Sequence, residues 1–234
     1  MRRSTFLFLL WLLLTAVILQ PRIAAADEMD VGIHVDVANG KTIYNEGKGE
    51  AASCAGCHGK KALGADAMGA PRLANLSQVY LTKQLGDYAT GKRNDPGAVM
   101  NSIAKALNEQ DLRDVAAYLD SLDYKTEPSS LGALGGKVGN PKKGKLIMTE
   151  GIKPKVPACQ DCHGFSGRAP NFPQIHHQKY VYLVNQLNAY RDGSRANDKA
   201  IDNIGIMRGI AKKLTNENIA DVAAYLSTVT NLTP

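Results

Sequence analysis

The sequence of 234 residues predicts an all-α protein made of two copies of one unit. Three observations support this prediction. The two halves of the chain repeat one another, the repeated segments carry apolar residues at helical spacing, and no run of residues has the alternation of a half-buried strand. A chain of this length can form one large domain or two small ones, and the repeat favours two.

The repeat consists of four pairs of matching segments that occur in the same order in both halves. They are Gly40–Gly47 with Gly144–Gly151, Cys54–Gly59 with Cys159–Gly164, Tyr80–Arg93 with Tyr182–Arg195, and Met100–Leu122 with Met207–Val229. The offset between partners drifts, so short insertions and deletions fall in loops between shared elements. Chance does not produce four collinear matches.

The repeated segments have the spacing of amphipathic helices. The last segment has one apolar stripe in each copy: Leu112, Val115, Ala116, Leu119 and Leu122, and then Ile219, Val222, Ala223, Leu226 and Val229. The middle segment has the shorter stripes Leu81, Leu85, Tyr88 and Leu183, Leu187, Tyr190. Asn108 and Asp111 have the spacing of a capping box, with Asp in the usual Glu position, and predict a helix start.

The domain boundary is predicted from composition. Residues 123–138 are rich in Pro, Gly and Ser and read as a linker between a first domain, 27–122, and a second domain, 139–234. Each domain is small for an independent hydrophobic core. We therefore expect something other than side chains to fill part of each interior.

The N-terminus has the layout of a secretory signal peptide, which we predict over residues 1–26. Arg2 and Arg3 precede the apolar stretch Thr5–Leu19, and Ala24–Ala26 offers small residues for cleavage. Export is the prediction. An uncleaved membrane anchor is the alternative, although the stretch falls short of the roughly 20 residues that span a bilayer.

The charge of the chain gives no support for a nucleic-acid partner. The full sequence has a formal net charge of +6, but Arg2, Arg3 and Arg22 lie in the predicted leader. Removal of the leader leaves 25 basic and 22 acidic residues, a net charge of +3. Neither a long basic run nor a basic patch interleaved with aromatic residues remains, so we predict no nucleic-acid binding.

All four cysteines lie in two Cys-x-x-Cys-His motifs, at 54–58 and 159–163. A thioredoxin-like redox centre would need a βαβ pattern, and the sequence shows no strands. Structural zinc would need two such pairs close together, and these are more than 100 residues apart. The third chemistry is covalent c-type haem, for which this motif is the attachment signature.

The spacing of the motif suits haem for a mechanical reason. Two thiols three positions apart can reach the two vinyl groups along one porphyrin edge, and the adjacent imidazole then reaches the iron. We therefore predict two covalently bound haem c groups. The thioether residues and the first iron ligand are Cys54, Cys57 and His58 in the first copy and Cys159, Cys162 and His163 in the second.

Methionines at matching places in the repeat are the predicted second iron ligands. Met100 lies 42 residues after His58, and Met207 lies 44 residues after His163. Haem iron in electron carriers often takes Met or His opposite the first histidine. The alternative is that both are core methionines, because methionine often fills gaps.

Other residues near the motifs are candidates for supporting roles. His176 and His177 are rival ligands of the second iron, but we expect them to form a surface pair. The backbone carbonyls of Pro71 and Pro173 are expected to accept hydrogen bonds from the ligating histidines. Arg93 and Arg195 follow matching glycines and could contact haem propionates or be surface charges.

The combined pattern resembles the dihaem cytochromes c4. Each CxxCHG motif is followed by P-x-[LI], YL-x-x-QL-x-x-Y-x-x-G-x-R, M-x-x-IA-x-x-L and VAAYL, and the resemblance covers nearly all of the chain after the leader. It implies two class I cytochrome c domains about a pseudo-twofold axis, with His and Met on both irons. It also implies single-electron transport in the periplasm, often toward terminal oxidases.

The chain departs from the family pattern at two places. Where family members commonly have LAGQ, this sequence has LANL at 73–76 and IHHQ at 175–178. Both places are near the predicted haem pockets, where they bear on partner choice and haem exposure. They do not disturb the proposed ligands.

The function predicted on this basis is that of a periplasmic electron shuttle without catalytic residues. Its redox partners would be a quinol:cytochrome c reductase or other donor and a terminal oxidase or reductase. One alternative is a dihaem peroxidase or thiosulfate-oxidising enzyme, which would need an open iron or a different ligand set. Another is a cytochrome subunit docked on a flavoprotein dehydrogenase. Peripheral association with a membrane is left open.

Overall fold

The computed structural model of the protein describes residues 34–123, 127–136, 138–164, 172–198 and 205–229. These residues form helices, turns and loops, with no strand among them. The predicted signal peptide and the alternative membrane anchor lie outside the described residues. Within the part that is described, no helix combines the length and the apolar character needed to cross a membrane.

Within the described residues, each half contributes five α-helices in the same order, which confirms the all-α, two-copy prediction. In the first half they are α1 (Val37–Glu46), α2 (Ala55–His58), α3 (Gln78–Ala89), α4 (Val99–Lys105) and α5 (Glu109–Asp120). In the second half they are α6 (Pro141–Glu150), α7 (Gln160–His163), α8 (Tyr180–Asp192), α9 (Ile206–Ala211) and α10 (Asn216–Thr228). Short 3₁₀ turns lie at Asp66–Met68, Pro96–Ala98 and Leu131–Leu134.

The first and last helices of each half cross at a glycine. A Cβ added to Gly40 on α1 would overlap the backbone carbonyl of Asp114 on α5, and one added to Gly144 on α6 would overlap that of Asp221 on α10. The added Cβ would lie 2.1 Å from Asp114 O in the first pair and 1.9 Å from Asp221 O in the second, whereas real Cβ atoms keep at least 3.0 Å from such atoms. The two helix pairs can therefore pack this closely only because neither glycine carries a side chain.

The apolar stripes predicted for α5 and α10 face the hydrophobic core of their own half, where Ile219 of α10 packs in a smaller cluster with Val156 and Leu214. The four stripe residues within α5 are buried, and so is Leu122 just beyond its end. The four within α10 are also buried, whereas Val229, which follows that helix, is half-buried. The capping box of α5 is present, because Asp111 N donates to Asn108 Oδ1 at 2.9 Å and Asn108 N donates to Asp111 Oδ2 at 3.4 Å. Local pattern therefore determined both the start and the buried face of α5.

Asp114, on α5, ties the start of α1 to the core of the first half. Its carboxylate accepts hydrogen bonds from Asp36 N at 2.8 Å, Asn39 Nδ2 at 2.7 Å and Gln110 Nε2 at 2.7 Å. Burial opposes ionisation, but these hydrogen bonds and the charge of Arg113 bring the pKa of Asp114 below its ordinary value of 3.8. A group with a depressed pKa stabilises the folded state above the unfolded-state pKa and loses that effect as the pH falls.

Asp114→Asn is therefore expected to lower the free energy of unfolding at pH 7 by about 1–3 kcal/mol, the cost of losing hydrogen bonds to a buried charged group. Urea unfolding of the haem-loaded protein between pH 3 and pH 7 measures this. The difference in the free energy of unfolding between the variant and wild type should be constant above about pH 5. It should narrow as the pH falls below 3.8 and then through the depressed pKa of folded Asp114, where the carboxylate becomes protonated. Asp120→Asn, at an exposed position on the same helix, is the control. An equal gap at pH 3 and pH 7 would contradict the ionised role.

The two halves contact each other around the start of α8. Asp66, in the first half, accepts hydrogen bonds from Val181 N at 3.0 Å and from Ser129 Oγ at 2.6 Å. Ser129 lies in the predicted linker, and its hydroxyl oxygen also accepts from Tyr180 N at 3.3 Å. A carboxylate of one half and a linker serine thus satisfy two of the free N–H groups at the N-terminus of a helix in the other half.

The predicted linker is also attached to the second half. Ser129 N donates to Ser227 O at 2.8 Å, and Leu131, Leu134 and Val138 pack against the core of α6, α8 and α10. The 3₁₀ turn Leu131–Leu134 lies within this stretch. The exact domain boundaries, 27–122 and 139–234, stay a prediction.

Candidate haem-binding site

Each Cys-x-x-Cys-His motif forms a single helical turn. His58 N donates to Cys54 O at 3.0 Å in α2, and His163 N donates to Cys159 O at 2.9 Å in α7. The histidine therefore lies one turn beyond the first cysteine, on the same side of the helix. Both motifs follow a tight turn, Lys48–Ala51 in the first half and Ile152–Val156 in the second.

The cysteine thiols lie against apolar surroundings. None of the four forms a disulfide, and all are half-buried. Cys54 and Cys159 pack against the two hydrophobic cores, and burial raises the pKa of each thiol to about 11. Redox-active cysteines have depressed pKa values because the thiolate is the reactive form. Neutral thiols beside apolar surface fit a bond to the edge of an apolar porphyrin better.

The two motif histidines are held by proline carbonyls. His58 Nδ1 lies 3.0 Å from Pro71 O, and His163 Nδ1 lies 2.8 Å from Pro173 O. A carbonyl can only accept, so Nδ1 carries the proton and Nε2 keeps its lone pair. Burial lowers the pKa of both imidazoles, which favours the neutral form. A neutral, oriented imidazole with a free Nε2 is what an iron ligand requires.

The predicted methionine ligands occupy equivalent places. Met100 is the second residue of α4 and Met207 the second residue of α9, and both are half-buried. Helix α4 packs on α3, and α9 packs on α8. By contrast, Met148 is a core residue at 1% exposure and Met68 is 60% exposed. Ligation by Met100 and Met207 stays a prediction.

The expectation that His176 and His177 form a surface pair is wrong. They are 1% and 9% exposed. They lie in the loop between Pro173 and α8, where Arg72 of the first half donates to His176 O and His177 N donates to Leu226 O of α10. Burial is the main cause that lowers the pKa of His176 to about 4, and it lowers that of His177 as well. This loop meets His163 from its Nδ1 side, opposite the Nε2 that is left for iron. The structure therefore gives no support to either residue as the rival ligand.

Arg93 and Arg195 form a reciprocal network between the two halves. Arg93 donates to Tyr182 Oη and Gln186 Oε1 of the second half, both at 3.0 Å, and to Gln84 Oε1 of its own half at 2.8 Å. Arg195 donates to the counterparts of these groups, at distances of 3.5 Å to Tyr80 Oη, 3.1 Å to Gln84 Oε1 and 2.7 Å to Gln186 Oε1. Such exchange of equivalent contacts defines a pseudo-twofold axis between the halves.

The network concentrates positive charge in a buried place. Arg93 and Arg195 are 4% and 5% exposed and stack on Tyr88 and Tyr190, 4.5 Å from each ring centroid. Burial alone would raise the pKa of the Tyr182 hydroxyl, but the charges of the two arginines outweigh it and lower that pKa to about 8. Among the described residues no carboxylate forms a hydrogen bond or ion pair with either guanidinium. Buried charges need a counter-charge, so this site fits an anionic group such as a haem propionate. That contact remains a prediction.

Sequence reasoning missed the polar partners in this interface. Gln84 and Gln186 are identical in both copies and interrupt the apolar stripes of α3 and α8, which was a usable signal. For Arg72 the repeat offered no such signal, because the matching residue in the second copy is Gln174. Nothing in its local sequence distinguishes it from a surface arginine.

The two helical domains, each with a buried histidine in a Cys-x-x-Cys-His turn, define the class of the protein as a two-domain c-type cytochrome. The family model for cytochrome c matches residues 37–123 and 141–230. Cytochrome c4 of Pseudomonas aeruginosa is 33% identical, over 77% of this chain and 85% of its own length. The crystal structure of reduced cytochrome c4 from Pseudomonas stutzeri has a TM-score of 0.67 at 30% identity, covering 84% of this chain and 100% of that chain. The chain belongs to the dihaem cytochrome c4 family, and its cofactors are two covalently bound haem c groups.

Two further similarities concern thiosulfate oxidation. The thiosulfate dehydrogenase electron acceptor of Stutzerimonas stutzeri is 34% identical over 85% of this chain and 90% of its own length. The thiosulfate dehydrogenase of Marichromatium purpuratum has a TM-score of 0.71 at 30% identity and covers 82% of this chain. The chain spans only 40% of the length of that protein.

Proposed function

We propose that this protein is a periplasmic carrier that takes single electrons from an oxidising enzyme and passes them to a terminal oxidase or reductase. The observation that carries the proposal is the pair of buried histidines, each fixed through Nδ1 to a proline carbonyl within a covalent haem-attachment turn. The signal-like leader supports export. Membership of the cytochrome c4 family supports electron transport.

The chain's own residues hold and insulate the two sites. When bound, each haem supplies an iron that changes its charge by one electron. Cys54, Cys57, Cys159 and Cys162 would anchor the two groups. The carbonyls of Pro71 and Pro173 keep each ligating ring in one orientation, so its geometry can persist in both oxidation states. The apolar cores exclude water, and the interface of the two halves keeps the separation of the sites constant.

A second candidate concerns the donor. The similarity to proteins named thiosulfate dehydrogenase electron acceptor favours a thiosulfate-oxidising enzyme as the source of electrons. In this proposal the chain receives electrons from that enzyme and does not itself oxidise thiosulfate. Two one-electron sites suit a donor that releases electrons in pairs. If the purified protein alone turned over thiosulfate or peroxide, the carrier proposal would be wrong.

The charge distribution suggests where a donor or acceptor docks. Residues 27–122 carry 10 basic and 13 acidic residues, a net charge of −3, whereas residues 139–234 carry 13 basic and 7 acidic residues, a net charge of +6. Exposed Lys153, Lys155 and Lys213 line a concavity that also reaches Ala158 beside the second motif, and they outnumber the two carboxylates of the same lining, Glu150 and Asp161. None of the three has an ion pair within the described part of the chain. An acidic partner surface is complementary to this face.

The charge reversal Lys153→Glu/Lys155→Glu is expected to slow electron transfer with such a partner about tenfold at low salt, because electrostatic steering raises association rates. Stopped-flow reduction by a purified thiosulfate dehydrogenase, followed from low to high ionic strength, measures the effect. The matched control is Lys60→Glu/Lys61→Glu, which makes the same charge change beside the first motif at exposed positions. If only the control slows the reaction, the partner docks on the first half. If rates are independent of salt for all variants, charge does not guide docking.

A further inference from the structure

The backbone carbonyls that hold the two ligating histidines are connected through one residue, Arg72. In the first half, Pro71 O accepts from His58 Nδ1 at 3.0 Å, and Arg72 is the next residue. The Arg72 guanidinium crosses to the second half, where Nη2 donates to Gln174 O and to His176 O, both at 3.2 Å. The first half's histidine is thus two hydrogen bonds away from the loop of the second half.

That loop begins at the carbonyl that holds the other histidine. Pro173 O accepts from His163 Nδ1 at 2.8 Å, and Gln174 follows Pro173 directly. A continuous path of bonds and hydrogen bonds therefore runs between the Nδ1 atoms of His58 and His163. Arg72 supplies the charged side chain in this path.

The position of Arg72 is closely determined. Its peptide is paired with the Gln178 side chain, since Arg72 N donates to Gln178 Oε1 at 2.6 Å and Gln178 Nε2 donates to Arg72 O at 3.0 Å. Its Nη1 donates to Ala74 O of its own half. The residue is 1% exposed. Both the backbone and the guanidinium are therefore held, and the charge cannot move out to solvent.

Arg72 lies close to the pseudo-twofold axis. Its repeat counterpart is Gln174, and a contact between a residue and its own counterpart lies at or near the axis that relates them. One cation is consequently shared by two sites instead of being repeated in each. Burial lowers the pKa of Arg72 to about 10, so it stays positive at neutral pH. Its guanidinium donates to three backbone carbonyl oxygens, and among the described residues no carboxylate is hydrogen-bonded to it.

We propose that Arg72 is a positioning residue that tunes both haem sites together, through a fixed positive charge held between the two carbonyl loops behind the ligating histidines. A fixed positive charge favours the reduced, less positive state of a nearby iron, so it raises the reduction potential. Because it sits between the sites, it acts on both. The inference rests on the proposed function only in that both motifs carry haem.

The test is a redox titration of the haem-loaded full chain, with NMR of the shifted haem methyl signals to separate the two centres. Arg72→Met keeps the length of the side chain and removes the charge. We expect it to lower both potentials, with an electron affinity about tenfold weaker at each centre, which is about 59 mV for a one-electron couple. Arg72→Lys keeps the charge and is expected to recover both potentials. Arg113→Met, on α5 and outside both loops, is expected to change neither.

Two further readouts separate tuning from folding. Gln178→Leu introduces the residue that the first copy has at this place, Leu76. It removes the two bonds to the Arg72 peptide and the bond that Gln178 Oε1 accepts from Lys179 N, and it leaves the Arg72 charge in place. It should lower the melting temperature and leave both potentials unchanged. Haem counting and the sulfur-ligand absorption band check that each variant keeps its centres.

The proposal is overturned if Arg72→Met binds two haems and shifts one potential or neither. It is also overturned if Gln178→Leu lowers the potentials as much as Arg72→Met, or if Arg72→Lys folds without recovering them. If Arg72→Met does not fold, Arg72→Gln removes the charge in its place, with the residue that the second copy has at the matching position, Gln174. Unchanged potentials in that variant overturn the proposal. Reduction by a partner enzyme is not part of the measurement, so a failure here leaves the carrier function standing.

Discussion

Met207→His is expected to leave the second haem bound and to lower its reduction potential on the order of 0.1 V or more, within the roughly 0.8 V range that axial ligands span. The physical reason is that a thioether donates less charge to the iron than an imidazole does and so stabilises the reduced state. Covalent attachment through Cys159 and Cys162 does not depend on the sixth ligand, so the haem should remain. A redox titration with optical spectra measures both effects.

The same variant should lose the sulfur-ligand band near the red end of the oxidised spectrum at one centre. Met100 and Met207 changed together should lose it entirely. Met148→Leu and Met68→Leu are the controls, since Met148 is packed in the core and Met68 is exposed on the surface. Survival of the band in the Met100/Met207 double variant would show that the axial assignment is wrong.

Among Gly→Ala substitutions in the described helices, we expect Gly144→Ala to lower the free energy of unfolding the most. The added Cβ would overlap the backbone carbonyl of Asp221 and also approach Tyr225, where α6 crosses α10. Backbone cannot rotate away as a side chain can, so the helices must separate. Overpacking of this kind costs about 1–3 kcal/mol and occasionally more, and we expect the upper end. Gly40→Ala, at the equivalent crossing of α1 with α5, should behave alike.

Chemical unfolding of the haem-loaded protein, followed by far-UV circular dichroism, measures the loss. Gly86→Ala is the matched control, because Gly86 is also helical and its added Cβ meets nothing within 4 Å. At that position the substitution should stabilise the protein by about 0.4–1 kcal/mol, since alanine restricts the unfolded chain. Equal stability of Gly144→Ala and wild type would mean that the helix crossing is looser than the structure shows.

The sequence was informative wherever a feature depends on neighbours in the chain. The stripe Leu112–Leu122, the capping box at Asn108 and the motif turn at 54–58 all depend on residues within about one to three helical turns. Periodicity and spacing report directly on such contacts. Because the chain contains two copies, each motif or apolar stripe occurs twice, and its interpretation in one half is supported by its recurrence in the other.

His176 and His177 show where that reasoning ends. Two adjacent polar residues predict exposure, because a buried polar group needs partners and the local sequence contains none. Here one contact comes from the first half of the chain, with Arg72 donating to His176 O across 104 positions. Another comes from α10, where Leu226 O accepts from His177 N. No pattern in the segment 173–178 reports a contact that distant.

By itself, the sequence determined the two-copy helical plan, the attachment of two haem groups and the candidate ligands, because each follows from residues a few positions apart and from their repetition. Only the tertiary structure decided how the two copies meet. The exchange of Arg93 and Arg195 between halves, the Asp66 carboxylate at the start of α8 and the bridge made by Arg72 join residues 89 to 115 positions apart. The physical reason is that such contacts depend on the relative placement of two folded surfaces, which local periodicity does not encode.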